Sequence, residues 1–290
     1  MDAHTIIQAL LVALGLPLVL QRPLFGFCSR LIAQKGMSRP NYRGEQVLTA
    51  GGLVLVASMA VTVLVELLLL ARANAPRELL QHGLLLVCGM AAMACWGWMD
   101  DKAGDAMTKG FRGHFAALLR EGRVTSGMCK LFGGGMTAVG VSLFVSVGFW
   151  PWLVACGLLA LSPNILNLFD LRPGRAIKVF WLLISLAAAL SAFGAKAGQS
   201  LAVWLFLLPL LVATVLFFPY DAGGRIMLGD TGANTLGFAI GYTYVTVAPI
   251  SWQAAILCGF VAIQVAAEFV SFSQIIEKKA WLRRLDDWGR

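Results

Sequence analysis

The stretch LAVWLFLLPLLVATVLFFP occupies residues 201–219 and carries no charged side chain over nineteen consecutive positions. At about 1.5 Å of rise per residue, a helix of this length matches a bilayer hydrocarbon core of roughly 30 Å. Backbone groups in lipid have to be satisfied within their own segment, so this run predicts a transmembrane α-helix. It ends at Tyr220-Asp221, which brings a carboxylate to the edge of the predicted membrane.

The rest of the chain has the same character. Of its 290 residues 59% are hydrophobic and only 13% are charged, whereas soluble domains carry about a quarter charged residues. Alternating strands typical of a membrane β-barrel are not seen. The sequence predicts an all-α fold, a polytopic transmembrane helix bundle forming one integral-membrane domain over residues 1–290. About nine spans are expected, at 4–21, 48–71, 81–99, 127–149, 152–168, 179–195, 201–219, 233–249 and 252–272.

Basic residues fall mainly on one predicted side of the bundle. Of the 23 Lys and Arg residues, 19 lie in the segments that follow the odd-numbered spans, and a twentieth, Lys130, lies on the same side near the start of the span 127–149. This bias predicts an outside N-terminus, a cytoplasmic C-terminus and a basic cytoplasmic tail at 273–290. The net charge of +8 is then a topology signal with attraction to anionic headgroups, and no nucleic-acid partner is expected.

Other features exclude some functions. The six cysteines are scattered and form no CxxC pair, so neither a zinc site nor a disulfide framework is indicated. No basic region precedes the span 4–21, which we expect to be a retained helix rather than a signal peptide.

Four acidic segments lie on the predicted cytoplasmic side, at the ends of apolar spans. They are Met99-Asp100-Asp101-Lys102, the run 164–170, Tyr220-Asp221 and Gly229-Asp230-Thr231-Gly232. Carboxylates beside a bilayer cost free energy, so their convergence suggests a metal ion and a charged substrate. The alternative for Asp100 and Asp101 is that they are solvated residues that mark the end of a span.

Asn164, Asn167 and Asp170 have i, i+3, i+6 spacing, which places them on one face of a helix. Their amides suit sugar hydroxyls or pyrophosphate oxygens, and the carboxylate suits a cation. The alternative is hydrogen bonding between helices of the bundle. Asp230 and Thr231 likewise either bind phosphate or metal at a helix start, or act as a plain N-cap.

Two groups of basic residues are candidate substrate-binding residues. Arg172, Arg175 and Lys178 surround a Pro-Gly turn and form a candidate phosphate clamp, with positive-inside anchoring as the alternative. Lys109 and Arg112 belong to the basic loop 100–126, which also carries His114.

Together these motifs resemble the polyprenyl-phosphate N-acetylhexosamine-1-phosphate transferases, the glycosyltransferase family that contains the phospho-MurNAc-pentapeptide transferase and the GlcNAc-1-phosphate transferases. Asp100-Asp101 looks like the family's aspartate pair, and Asn164-x-x-Asn167-x-x-Asp170 looks like its Asn/Asn/Asp motif. Gly229-Asp230-Thr231-Gly232-Ala233 is similar to its GDxGS-type motif, with Ala in place of Ser. The motifs occur in the family's order and on its cytoplasmic side.

The resemblance implies a multi-pass enzyme of a bacterial plasma membrane. It would transfer a phospho-sugar from a UDP-sugar to undecaprenyl phosphate with Mg²⁺, releasing UMP and initiating cell-wall, peptidoglycan or other surface-polysaccharide synthesis. Asp230 would be a magnesium ligand, and Asp100 would activate the lipid phosphate or help hold the metal. Asp101 and Asp170 would complete the catalytic cluster, with Asn164 and Asn167 positioning substrate. The oligomeric state stays open, with a homodimer among the options.

The chain departs from the family pattern in two places. Leu171 follows Asp170 where many members have Gly, and no histidine occurs after His114, so the family's late histidine-rich motif is missing. These departures favour an alternative function, a catalytically silent relative that binds lipid phosphate or a partner protein. A third alternative, a transporter built on Glu66 and Glu268, lacks two related halves.

Overall fold

The computed structural model describes residues 2–41, 43–103, 126–192 and 197–290, and these ranges are mostly helical. A small antiparallel hairpin of β1 (Ser38–Pro40) and β2 (Gln46–Leu48) accompanies the helices. The described ranges contain eleven helices: α1 (Ala3–Gln34), α2 (Gly52–Arg72), α3 (Arg77–Ala103), α4 (Ser126–Val145), α5 (Phe149–Phe169), α6 (Arg175–Ser191), α7 (Ala197–Ala222), α8 (Gly229–Val247), α9 (Ile250–Ala267), α10 (Phe272–Lys278) and α11 (Ala280–Asp287).

Seven of the described helices are long and apolar enough to cross a membrane, namely α1 to α5, α7 and α9. The polytopic helical character predicted from the sequence is therefore confirmed. The predicted spans 179–195 and 233–249 correspond to α6 and α8, which fall outside this set. Helix α6 has only 17 residues, and α8 carries several threonines and an asparagine. The count of nine spans and the orientation remain predictions.

One predicted boundary is wrong, and one predicted span is part of a longer helix. The chain turns between α4 and α5 at Gly148, whose φ of +92° suits a residue without a side chain, and not at Trp150-Pro151. Pro151 instead lies in the first turn of α5, where a missing N–H costs little. Helix α1 continues well past residue 21 because Cys28 and Ile32 extend its buried face.

Helix α8 lies at the centre of the bundle, where 17 of its 19 residues are buried against α2, α3, α5 and α6. Glycines make this packing close. A Cβ atom at Gly237 would lie 2.6 Å from the Ser162 carbonyl oxygen, and one at Gly241 would lie 2.8 Å from the Ser162 hydroxyl. Gly237 and Gly241 thus form a small-residue packing face, which explains how a helix with polar residues is shielded from lipid.

The hairpin fixes where α8 begins. Leu48 accepts a hydrogen bond from the Met227 N–H at 2.8 Å, and the N–H of Gly52 donates to the Leu228 carbonyl at 2.9 Å. A Cβ atom at Gly52 would overlap the backbone of Gly232. Helices α2 and α8 therefore start side by side, at the end of the bundle where the acidic segments lie.

Candidate functional site

Asp101, in the last turn of α3, caps the first turn of α8. Its buried carboxylate accepts hydrogen bonds from the N–H groups of Asp230 at 3.1 Å and Thr231 at 2.9 Å, and from the Thr231 hydroxyl at 2.6 Å. The free amides at a helix N-terminus carry partial positive charge, so the carboxylate is well placed there. The interpretation of Asp230 or Thr231 as the N-cap of α8 is wrong, because the capping side chain comes from another helix.

Lys130, in the second turn of α4, lies between two acids. Its ammonium forms an ion pair with Asp230 and lies 3.8 Å from a carboxylate oxygen of Asp100. The three side chains are partly open, with exposed fractions of 17% for Lys130, 27% for Asp100 and 30% for Asp230. Lys130 was not among the predicted site residues, although a charged side chain inside the predicted span 127–149 was an available signal.

Asp170 and Asp221 complete the acidic cluster. Asp221 is buried and accepts hydrogen bonds from the N–H groups of Gly174 at 2.8 Å and Leu228 at 3.1 Å. Burial raises the pKa of Asp170 well above its ordinary value, and the charges of Asp221, Asp230 and Asp101 raise this pKa further. All four acidic segments predicted from the sequence therefore meet at one end of the bundle, and their carboxylates repel one another there.

A groove of about 500 Å³ begins beside Asp100 and Lys130 and continues between the helices. Its walls are mostly apolar and are formed by residues of α3, α4 and α5, with α9 at one side. The lining includes Met93, Trp96, Leu131, Ala160, Leu161 and Leu168. A groove with a charged mouth and apolar walls suits a ligand with a polar head and a hydrocarbon chain.

The predicted asparagines lie at different places around this groove. Asn164 lines it together with Asn234 of α8. Asn167 donates a hydrogen bond from its amide nitrogen to the Asn234 side-chain oxygen at 2.9 Å, so it makes the helix–helix contact that the sequence left open as an alternative. The side-chain oxygen of Asn167 is buried without a hydrogen-bond partner among the described residues. Asn234 was missed as a site residue.

The predicted phosphate clamp is occupied by the C-terminal end of the chain. Arg175 is buried and binds Asp286, Lys178 donates hydrogen bonds to backbone carbonyls of Leu285 and Trp288, and Arg172 pairs with Glu277. A substrate phosphate would have to compete with these contacts, so the substrate role of the three residues stays a prediction. Lys109, Arg112 and His114 lie outside the described residues.

The carboxylates of Asp100, Asp101 and Asp230 differ in how available they are to bind the predicted magnesium ion. Within the described ranges, no three His, Cys, Asp or Glu side chains are grouped so that they could hold a metal ion. Asp101 uses both of its oxygens on α8, whereas Asp100 and Asp230 face Lys130. Mg²⁺ commonly binds one or two carboxylates together with water and substrate phosphates. Asp100 and Asp230 would supply two such carboxylates, so a magnesium ion bound together with a phosphate-bearing substrate stays a prediction.

Comparison with known proteins adds no further support, because no protein-family model matches this chain and no curated protein matches it.

Proposed function

We propose that this chain transfers a phospho-N-acetylhexosamine, or a related phospho-sugar, from a UDP-sugar to a polyprenyl phosphate and releases UMP. The observation that carries this proposal is the charged mouth of the groove, where Asp100, Lys130 and Asp230 meet. From this mouth the apolar groove continues between helices of membrane-spanning length. An enzyme that joins a soluble nucleotide to a lipid phosphate needs such a junction of polar and apolar surface.

The residues of this end of the bundle suit the two substrates in different ways. The apolar walls of the groove suit a prenyl chain, with its phosphate at the mouth. Lys130 would neutralise phosphate oxygens, and Asp100 would orient or deprotonate the lipid phosphate. Asn164 and Asn234 would donate hydrogen bonds to the sugar or the pyrophosphate. Phosphoryl transfer depends mainly on such positioning and on neutralising charge.

Asp230 and Asp100 would hold the magnesium ion. When bound, Mg²⁺ would neutralise the negative charge that builds up on the phosphate oxygens. Asp101 would contribute indirectly, because it fixes the first turn of α8 and thereby the position of Asp230.

The test is release of UMP from proteoliposomes that contain the chain, polyprenyl phosphate and a panel of UDP-N-acetylhexosamines, with and without Mg²⁺. Asp230→Asn and Asp100→Asn should each lower the rate about a hundredfold or more, as expected for groups that stabilise transition-state charge. Glu78→Gln is the matched control, because Glu78 lies in the first turn of α3, roughly 33 Å from Asp100 along the helix. An undiminished rate in Asp230→Asn would exclude its metal role.

One observation favours a second function. Lys130 pairs with Asp230 and lies near Asp100, so a positive charge of the chain itself balances this part of the cluster. A non-catalytic protein that binds lipid phosphate or a partner protein would show the same arrangement. Absence of UMP release from the wild-type chain, together with lipid-phosphate binding that needs neither Mg²⁺ nor nucleotide in titration calorimetry, would support this function over the transferase.

A further inference from the structure

The C-terminal tail, residues 272–290, lies across the ends of three helices of the bundle. The ring of Phe272 lies 5.7 Å from that of Phe169 at the end of α5, and the ring of Trp288 stacks at 5.7 Å on Phe218 near the end of α7. Between them, Asp286 binds Arg175 at the start of α6. Because α5 and α7 are of membrane-spanning length, a segment that crosses their ends runs parallel to the membrane plane.

A buried ion pair fixes the orientation of α11 within this tail. Both carboxylate oxygens of Asp286 accept hydrogen bonds from Arg175 at 2.7 Å, and the two side chains are only 8% and 4% exposed. Arg290 adds a second ion pair to Asp286 at 3.0 Å. With one face of α11 held against the bundle in this way, the opposite side of the helix is presented outward.

The outward side of α11 carries a stripe of large apolar side chains. Trp281 and Leu285 are 63% and 61% exposed, and their spacing of four residues places them on one face of α11. They lie beyond the last membrane-length helix, α9, where apolar exposure is not explained by a spanning segment.

The charge around this stripe is mainly positive. Besides Arg290, four basic residues of the tail are exposed, namely Lys278, Lys279, Arg283 and Arg284. The acids of the tail are paired with arginines, since Glu277 binds Arg172 and both Asp286 and Asp287 bind Arg290. The surface next to the apolar stripe is therefore complementary to negative charge.

We propose that the C-terminal tail is an interfacial anchor that binds an anionic lipid surface at the acidic end of the bundle. Trp281 and Leu285 enter the headgroup region, where tryptophan side chains are enriched, and the four basic residues contact lipid phosphates. Residues 268–271 join the tail directly to α9, so the stripe is held close to the bilayer surface. This proposal stands independently of the transferase function.

The test is limited digestion of the full chain with trypsin in nanodiscs, with cleavage after Arg283 and Arg284 followed by mass spectrometry. Nanodiscs of phosphatidylcholine alone are compared with nanodiscs that contain about 30% phosphatidylglycerol, which supplies the anionic surface. Cleavage after Arg225, an exposed arginine outside the tail, corrects for the effect of lipid charge on the protease itself. Relative to Arg225, we expect cleavage in the tail to slow on the order of tenfold in the anionic nanodiscs, and about 1 M salt should remove most of this protection.

The double variant Trp281→Ser/Leu285→Ser keeps every trypsin site and removes the apolar stripe. Because both side chains are exposed, the variant should fold normally and lose the protection by anionic lipid. Equal relative cleavage in the two lipid compositions would overturn the proposal. Protection that rises with protein concentration in phosphatidylcholine alone would also overturn it, since it would identify a second copy of the chain as the occupant of the stripe.

Discussion

Replacement of Asp101 separates a structural role for this residue from a catalytic one. Its carboxylate receives the N–H groups of Asp230 and Thr231 and the Thr231 hydroxyl, at 3.1, 2.9 and 2.6 Å. Asp101→Ala leaves the buried Thr231 amide and the partly buried Asp230 amide without this acceptor. At about 1–3 kcal/mol for each orphaned donor, the free energy of unfolding should fall by roughly 2–6 kcal/mol. Asp101→Asn keeps one acceptor oxygen, so its loss should be about half as large.

The measurement is unfolding of the purified chain in mixed micelles of increasing SDS content. Asp100→Asn is the matched control: Asp100 is adjacent in sequence but partly exposed beside Lys130, and we expect a change below about 1 kcal/mol. If Asp101→Ala unfolds within about 0.5 kcal/mol of the wild type, the hydrogen bonds to α8 do not stabilise the fold and the capping argument is refuted.

Three further predictions concern packing and the tail. Gly52→Ala should destabilise the chain by about 1–3 kcal/mol in the same unfolding assay, because its Cβ atom would overlap Gly232, while Gly135→Ala, with nothing within 4 Å, should have little effect. Arg175→Met leaves Arg290 as the one ion-pair partner of Asp286 among the described residues, so hydrogen exchange in α11 should show a loss of protection of about 3 kcal/mol. Arg172→Met breaks an exposed pair and should cost under about 1 kcal/mol, and equal losses in the two variants would contradict the burial assigned to Arg175. Burial would raise the pKa of Asp286, but Arg175 and Arg290 hold this pKa below its ordinary value. Docking of the tail should therefore be at full strength above about pH 4 and weaken as the pH falls through the lowered pKa, which fluorine resonances of labelled Trp288 would report. Release of the tail between pH 5 and 7, on the order of one to three units too high, would contradict the lowered pKa of Asp286.

The helices could be predicted from the sequence because each long apolar run has to satisfy its own backbone in lipid, as residues 201–219 illustrate. The convergence of the acidic segments followed from counting helices and from the side on which the basic residues lie. The turn at Gly148 was missed because Pro151 is the more conspicuous helix breaker, although proline is well tolerated in a first helical turn.

The contacts of the site were harder to predict, because they depend on pairs of residues far apart in the chain. Arg175 and Asp286 are separated by 111 positions, and nothing in either local sequence indicates that they meet. Lys130 was counted with the topology-determining lysines, and its contact with Asp230, 100 residues later, became apparent only in the folded chain. The sequence does not distinguish Asp101 from Asp100, although Asp101 is buried against α8 and Asp100 lines the groove.

The backbone contact between Gly52 and Gly232 has a mechanical consequence. Two helices whose backbones touch without intervening side chains cannot slide or rotate past each other without a steric clash, so α2 and α8 should move as one rigid unit. Helix α9, in contrast, buries only Gln253 and Phe260 and borders the groove through Gln264 and Glu268. We therefore expect a long lipid to enter the groove sideways past α9, which has few buried residues, while α2 and α8 together hold the acidic end of the bundle in place.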